Sequence, residues 1–167
     1  MAFDVHAALP GLLPRLVAFA RTIVGNVDTA RDLVQEAVAR ALGARRVPDD
    51  VAAYRAWMFK IVRNAAIDEM RRSRPGPIEE EPAVDLWRFD DASIAKITVD
   101  QGLSVLPPAH REIIALIDIA GFSYAEAAGV LGVPIGTVMS RITRARMALL
   151  AAIEASSLRP MKSRHGN

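Results

Sequence analysis

Residues 123–146 read SYAEAAGVLGVPIGTVMSRITRAR, and this stretch decides the fold. Ser123 and Glu126 have the spacing of a capping box, in which a hydroxyl and a carboxylate satisfy the free N–H groups at a helix start. Gly132 ends that short helix, and Pro134 is suited to the first position of a second one. A capped helix, a tight turn with glycine and a longer helix together predict a helix-turn-helix motif.

The second helix of the motif, predicted from Pro134 to about Ala155, has two faces at helical spacing. Its apolar face consists of Val138, Ile142, Ala145, Leu149 and Ile153. Its polar face consists of Thr137, Ser140, Arg141 and Arg144. Arginine can bind guanine in the major groove and hydroxyls can bind phosphate, which indicates a DNA-recognition helix. The alternative is a solvated face on an ordinary packing helix.

Residues 1–74 also show helical periodicity. The first helix carries Leu13, Leu16, Val17, Ala20 and Val24 and ends at Gly25-Asn26. A second helix is predicted from Asp28, as N-cap, to Gly43, and a third from Asp49-Asp50 to about Arg74. On the third helix, we expect an apolar face of Tyr54, Trp57, Met58, Ile61 and Ala65.

Opposite that apolar face lie Lys60, Arg63, Arg71 and Arg74, with Asn64 at the edge and Arg72 nearby. Such a cationic face predicts phosphate binding with strong salt dependence. Asn64 can hydrogen-bond a base edge, although a solvated asparagine is the simpler interpretation. The second helix presents Arg31, Asp32, Gln35, Glu36 and Arg40, which is either a solvated face or a protein-binding face.

Charge divides the chain into blocks. Residues 1–74 carry a net charge of +4, residues 75–100 carry −5, and residues 101–167 carry +3. Residues 75–98 contain three prolines and no sustained period, so we predict a flexible acidic linker there. A second helical domain is predicted over 99–155, followed by a short basic tail, 156–167.

Other classes of protein are disfavoured. The chain has no cysteine and three widely separated histidines, which gives no metal-site spacing, and no phosphate loop or nucleophile elbow is present. No cofactor is expected. We also find no secretion signal and no apolar run approaching membrane-spanning length, so the expectation is a cytoplasmic protein without a membrane partner.

The motifs resemble a known family. Residues 13–20, 30–37 and 56–68 are similar to region 2 of the extracytoplasmic-function (ECF) sigma factors, and residues 106–112, 121–128 and 132–146 to region 4. The resemblance implies an all-α fold with a region 2 bundle (1–74) and a region 4 helix-turn-helix (99–155). It also implies a sigma factor that directs promoter recognition and DNA opening. The run GTVMSR at residues 136–141 and the short linker resemble the alphaproteobacterial general-stress group of these factors.

The resemblance assigns roles to the exposed faces. It implies that Asp32, Gln35 and Glu36 bind the clamp of the polymerase β′ subunit. The segment that melts and binds the minus-ten element is implied to contain Lys60, Arg63, Asn64, Asp68, Arg71 and Arg72. Thr137, Ser140, Arg141 and Arg144 are implied to bind the minus-thirty-five element. Core RNA polymerase, promoter DNA and an anti-sigma factor are the expected partners.

One departure and two rival functions remain. Met139 stands where many members of the family carry a basic residue.

A helix-turn-helix regulator would need a dimer interface or a ligand pocket, and neither is apparent in the sequence. A sigma-mimicking antagonist would not need the cations of its DNA face, yet Arg141 and Arg144 are present.

Overall fold

The computed structural model describes residues 4–73 and 94–157, with side chains from Thr98 onward in the second range. These residues form seven α-helices and one π-helical turn, which confirms the all-α class. The elements are α1 (Val5–Val24), α2 (Val27–Leu42), α3 (Val51–Arg72), α4 (Ile94–Ser104), α5 (Pro108–Ile114), the π turn (Ala115–Ile119), α6 (Tyr124–Leu131) and α7 (Ile135–Ser157).

The predicted linker is shorter at its C-terminal end than the sequence suggested. α4 begins at Ile94, so residues 94–98, which lack a clear period, are helical. α4 packs along α7. This tertiary contact stabilises a helix that the local sequence pattern did not predict. The predictions for residues 75–93, for Arg74 and for residues 158–167 lie outside the described residues.

Two helices begin at residues other than those predicted. The N-cap of α2 is Asn26, not Asp28, because the Asn26 backbone is extended and its side chain accepts a hydrogen bond from the Thr29 N–H at 2.9 Å. Asp28 instead lies in the first turn. α7 begins at Ile135, immediately after Pro134, whose carbonyl accepts the first hydrogen bonds of the helix.

α1, α2 and α3 pack together around an apolar core. The predicted apolar face of α3 is wrong in part: Phe59 and Val62 are fully buried, whereas Trp57 and Ile61 are only partly buried. The reason is that α3 is covered on two sides, by α1 and α2 on one and by α6 on the other. Phe59 lies 5.3 Å from Phe19, measured between ring centroids.

α1 corrects another expectation. It is long and apolar enough to cross a membrane by length and composition, although we expected no segment of that kind; within the described ranges it alone meets this criterion. Core helices of globular domains meet the same criterion, and Leu16, Phe19 and Ala20 of α1 are fully buried against neighbouring helices. The packing therefore accounts for the hydropathy of α1.

The helix-turn-helix predicted from residues 123–146 is confirmed. The Ser123 hydroxyl accepts a hydrogen bond from the Glu126 N–H at 3.2 Å, and the Glu126 carboxylate accepts one from the Ser123 N–H at 2.8 Å. Gly132 ends α6 with a φ of 66°, a left-handed conformation that favours glycine. The capping box and this glycine together set the angle at which α7 leaves the motif.

The capping box gives a first testable prediction. We expect Ser123→Ala to lower the free energy of unfolding by about 1 kcal/mol at neutral pH, because an N–H group at the start of α6 loses its acceptor. Hydrogen bonds from Ser123, first its backbone N–H, hold the pKa of Glu126 below its usual value. The Glu126 carboxylate therefore stabilises the fold at pH values above its unfolded-state pKa of about 4.3. This contribution is lost as the pH falls through the lower pKa that Glu126 has in the folded state.

Urea unfolding at several pH values measures both effects. Ser73→Ala is the matched control, since the Ser73 hydroxyl is exposed at the end of α3 and caps no helix start. A loss at Ser123 no larger than at Ser73, or a Ser123 effect that grows in acid, would contradict the capping-box account.

Candidate nucleic-acid interface

α7 has a buried face and an exposed face. Val138, Ile142 and Ala145 are buried, and α7 packs on α4, α5 and α6. On the other side, Ser140 and Arg144 are exposed. The remaining two predicted residues of the DNA face, Thr137 and Arg141, are half-buried beside them, and the spacing 137, 140, 141, 144 places all four on one surface.

The cations on this surface are available for binding. Among the described residues, neither Arg141 nor Arg144 forms an ion pair. The Ser140 hydroxyl donates to the Thr137 carbonyl at 3.1 Å, which leaves its oxygen lone pairs free to accept. Two unpaired guanidinium groups near the start of an exposed helix fit a phosphate-lined groove.

Arg146 has a structural role that the sequence reading did not assign. Its guanidinium donates two hydrogen bonds to the Asp118 carboxylate, at 2.7 and 3.2 Å, and so connects α7 to the π turn. These hydrogen bonds raise the pKa of Arg146 above its usual value. Arg146 therefore connects two elements of the fold, whereas Arg141 and Arg144 have no such partner in the described part of the chain. The sequence could not show this difference, because it depends on where the folded chain places Asp118.

Five of the six residues predicted to contact the minus-ten element lie on or near the exposed face of α3. Lys60, Asn64, Asp68, Arg71 and Arg72 are exposed or nearly so. Arg71 lies 3.9 Å from Asp68, and Arg72 lies 3.1 Å from Glu69. Exposed pairs of this kind contribute roughly 0–1 kcal/mol, so these arginines can exchange their carboxylate partners for phosphate.

Arg63, the sixth of these residues, is not on the free surface. Its guanidinium is paired with the Glu112 carboxylate of α5, and the two side chains are 22% and 10% exposed. The structure therefore separates Arg63 from the other predicted minus-ten residues. Nothing in the sequence pointed to this pair, because its members are 49 residues apart.

The predicted polymerase-binding residues Asp32, Gln35 and Glu36 are exposed on α2. Glu36 is paired with Arg40, one turn further along. An open groove separates this face from α3 and is lined by Glu36, Arg40, Ala65, Asp68, Arg71 and Arg72.

Among residues 4–73 and 94–157, no cluster of His, Cys, Asp or Glu could hold a metal ion.

The fold and these surfaces define an all-helical protein with a basic recognition helix in a helix-turn-helix and a second polar helical bundle. Comparison with known proteins identifies both halves. The sigma-70 region 2 family model matches residues 11–75, and that of sigma-70 region 4 matches residues 96–149. The ECF RNA polymerase sigma factor EcfG of Rhodopseudomonas palustris is 35% identical over 164 residues, which covers 90% of this chain and 83% of the relative.

Solved structures agree with the sequence comparison. The sigma factor RpoE of Bartonella quintana, in complex with the anti-sigma factor NepR, is 32% identical with a TM-score of 0.75, over 90% of this chain and 97% of that one. CnrH, in complex with the cytosolic domain of CnrY, is 27% identical with a TM-score of 0.60, over 90% of this chain and 87% of that one. The chain belongs to the ECF RNA polymerase sigma factors of the sigma-70 family.

Proposed function

We propose that this sigma factor uses three helical faces, each of which binds a different promoter element or the polymerase. Thr137, Ser140, Arg141 and Arg144 of α7 bind the minus-thirty-five element as duplex. Lys60, Arg63, Asn64, Asp68, Arg71 and Arg72 of α3 bind and open the minus-ten element. Asp32, Gln35 and Glu36 of α2 dock on the clamp of the polymerase β′ subunit. The observation that carries the proposal is the exposed cationic face of α7, opposite its buried face.

The mechanism is binding and does not require the protein to make or break covalent bonds. Extruding a base from the duplex costs a few kcal/mol, which contacts to the flipped base offset. Asn64 offers an exposed amide that can donate and accept on such a base, and Lys60, Arg71 and Arg72 supply positive charge for the displaced strand. Asp32, Gln35 and Glu36 lie on a different helix, which separates polymerase docking from DNA contact.

The partners follow from the family and from the solved relatives. Core RNA polymerase and promoter DNA are required by the activity, and we place the protein in the cytoplasm, where both are found. The relatives RpoE and CnrH were solved with NepR and CnrY, which supports an anti-sigma partner for this chain. The similarity to EcfG and RpoE supports a role in a stress response of the alphaproteobacterial type.

Transcription in vitro from a promoter library with core polymerase tests the proposed function. A sigma factor selects templates that share two short elements at a fixed spacing, and it does so only with core enzyme present. A helix-turn-helix regulator would footprint the DNA without polymerase. A sigma-mimicking antagonist would yield no transcript, and either of these outcomes would overturn the proposal.

The α2 face gives a second prediction. We expect Asp32→Lys to weaken binding to core polymerase by roughly tenfold or more, because reversing a charge at a complementary interface places like charges together, which costs several kcal/mol when they are close. Titration of labelled protein with core enzyme measures the loss. Asp49→Lys is the control, since Asp49 is exposed between α2 and α3 and is not the N-cap of either helix. Equal weakening by both variants would show that α2 is not the docking surface.

A further inference from the structure

α7 exposes a row of apolar groups beside its polar DNA face. Ile135, Met139 and Thr143 recur every four residues, so they lie one above the other on the N-terminal half of the helix. All three are exposed, Ile135 to 48% and Met139 to 49%. Ser140 and Arg144 of the polar face come next around the helix. The row, which we call the apolar ridge, is therefore continuous with the proposed DNA face.

The groups on the apolar ridge suit an apolar ligand. The Thr143 hydroxyl donates to the Met139 carbonyl at 3.0 Å, so its hydrogen is used inside the helix and its methyl group is the apolar part that it offers outward. The side chains of Ile135 and Met139 carry no hydrogen-bond donor and no charge. Apolar surface left in water gains free energy when another molecule covers it. A phosphate suits Arg144 but does not suit the ridge.

Gly136 leaves the helix backbone uncovered next to the ridge. A Cβ atom added at Gly136 would meet nothing within 4 Å, so no neighbouring side chain in the described fold requires glycine at this position. Glycine is less favourable than alanine in a helix, and it is often found where another molecule approaches the backbone closely. Gly136 lies in the first turn of α7, and the first turns of a recognition helix meet base edges in the major groove. The ligand expected at the ridge is therefore a base.

In the major groove, the C5-methyl group of thymine is the apolar group that distinguishes one base from the others. Ile135 and Met139 are about 6 Å apart along the helix axis, at ~1.5 Å per residue, which is close to the length of two base-pair steps. We propose that the apolar ridge contacts thymine methyl groups in the minus-thirty-five element, with Met139 as a specificity-determining residue. This inference rests on the proposed binding of that element by α7.

Replacing thymidine with deoxyuridine tests the contact directly, because it removes the methyl group and leaves base pairing intact. The replacement is made at each thymine, on either strand, of the minus-thirty-five element in a promoter that the holoenzyme selects. We expect at least one replacement to weaken holoenzyme binding by about three- to fivefold, as the burial of one methyl group predicts. The same replacement should have no effect on the Met139→Ala holoenzyme, because both changes remove one contact and their effects do not add.

Met147→Ala is the matched control. Met147 is 67% exposed on α7 but lies about two turns beyond Met139, so the control should keep the full effect of deoxyuridine. Met139→Lys gives a second measurement, in which we expect no response to deoxyuridine. The lysine should also make the plot of log K against log salt concentration steeper by about one, since it adds a phosphate contact.

An equal deoxyuridine effect in the unmodified protein and in Met139→Ala would overturn the inference, as would an element in which no thymine responds. Weaker binding of Met139→Ala to core polymerase, with an unchanged response to deoxyuridine, would show that the ridge faces a protein and would overturn it too. Failure of the proposed function has a different signature: exchange of whole base pairs in the minus-thirty-five element would then leave holoenzyme binding unchanged.

Discussion

Phe59→Ala is expected to lower the free energy of unfolding by about 3–5 kcal/mol, as is typical when a fully buried aromatic ring is truncated. Phe59 is 0% exposed and lies between Phe19 on one side and Phe122 on the other. Removing the ring leaves a cavity and ends both aromatic contacts, which adds to the loss of buried apolar area. Because Phe59 contacts Phe19 in the region 2 core and Phe122 in region 4, we expect the variant to weaken the packing on both sides.

Urea unfolding followed by circular dichroism measures this loss. Leu150→Ala is the matched control, since Leu150 is apolar but 58% exposed, and we expect a change within about 0.5 kcal/mol. X-ray scattering of the folded variant reports separately on the packing of region 2 against region 4. A stability loss at Phe59 as small as that at Leu150 would mean that α3 is not covered from both sides.

Asn64→Ala and Arg141→Ala are each expected to reduce transcription initiation by about 10- to 100-fold, since one good base contact contributes about 1–3 kcal/mol. Asn64 is exposed and Arg141 is half-buried, and both lie on the faces assigned to DNA, on helices other than α2. Binding to core polymerase should therefore stay at the level of the unmodified protein. The two losses should also differ in kind, because Asn64 acts on opened DNA and Arg141 on duplex.

Abortive transcription on a fixed promoter measures the reduction, and a pre-melted minus-ten template separates the two variants. On that template we expect partial recovery for Asn64→Ala and none for Arg141→Ala. Arg45→Ala is the control for the loss of an exposed arginine, since Arg45 lies between α2 and α3. Loss of polymerase binding in parallel with initiation would contradict the division of roles between helices.

Local signals predicted the region 4 motif well. The capping box of Ser123 and Glu126, the left-handed glycine at 132 and the two faces of α7 all depend on residues within a few turns of each other. Helical periodicity alone then assigns Val138 and Ile142 to the core and leaves Ser140 and Arg144 outside. Short-range hydrogen bonds and a 3.6-residue period are sufficient for predictions of this kind.

Long-range packing explains why the predictions for α3, Arg63 and α4 were wrong or incomplete. Periodicity predicted one apolar face for α3, but it cannot show that region 4 covers a second side and packs Phe122 against Phe59. Arg63 looked like one more cation on a phosphate-binding face, and its partner Glu112 is distant in sequence. α4 was missed for the same reason, because its contact with α7 is tertiary.

Site-specific DNA cleavage in the assembled holoenzyme tests the central claim most directly, and the absence of cysteine from the chain allows a clean design. A cleavage reagent attached to Met139→Cys reports the position of α7, and one attached to Ser73→Cys reports the end of α3; both sites are exposed. We predict cuts centred near position −35 for the first and near −10 for the second, each requiring core polymerase. Cuts by both reagents at a single position, or an identical pattern without polymerase, would contradict the account.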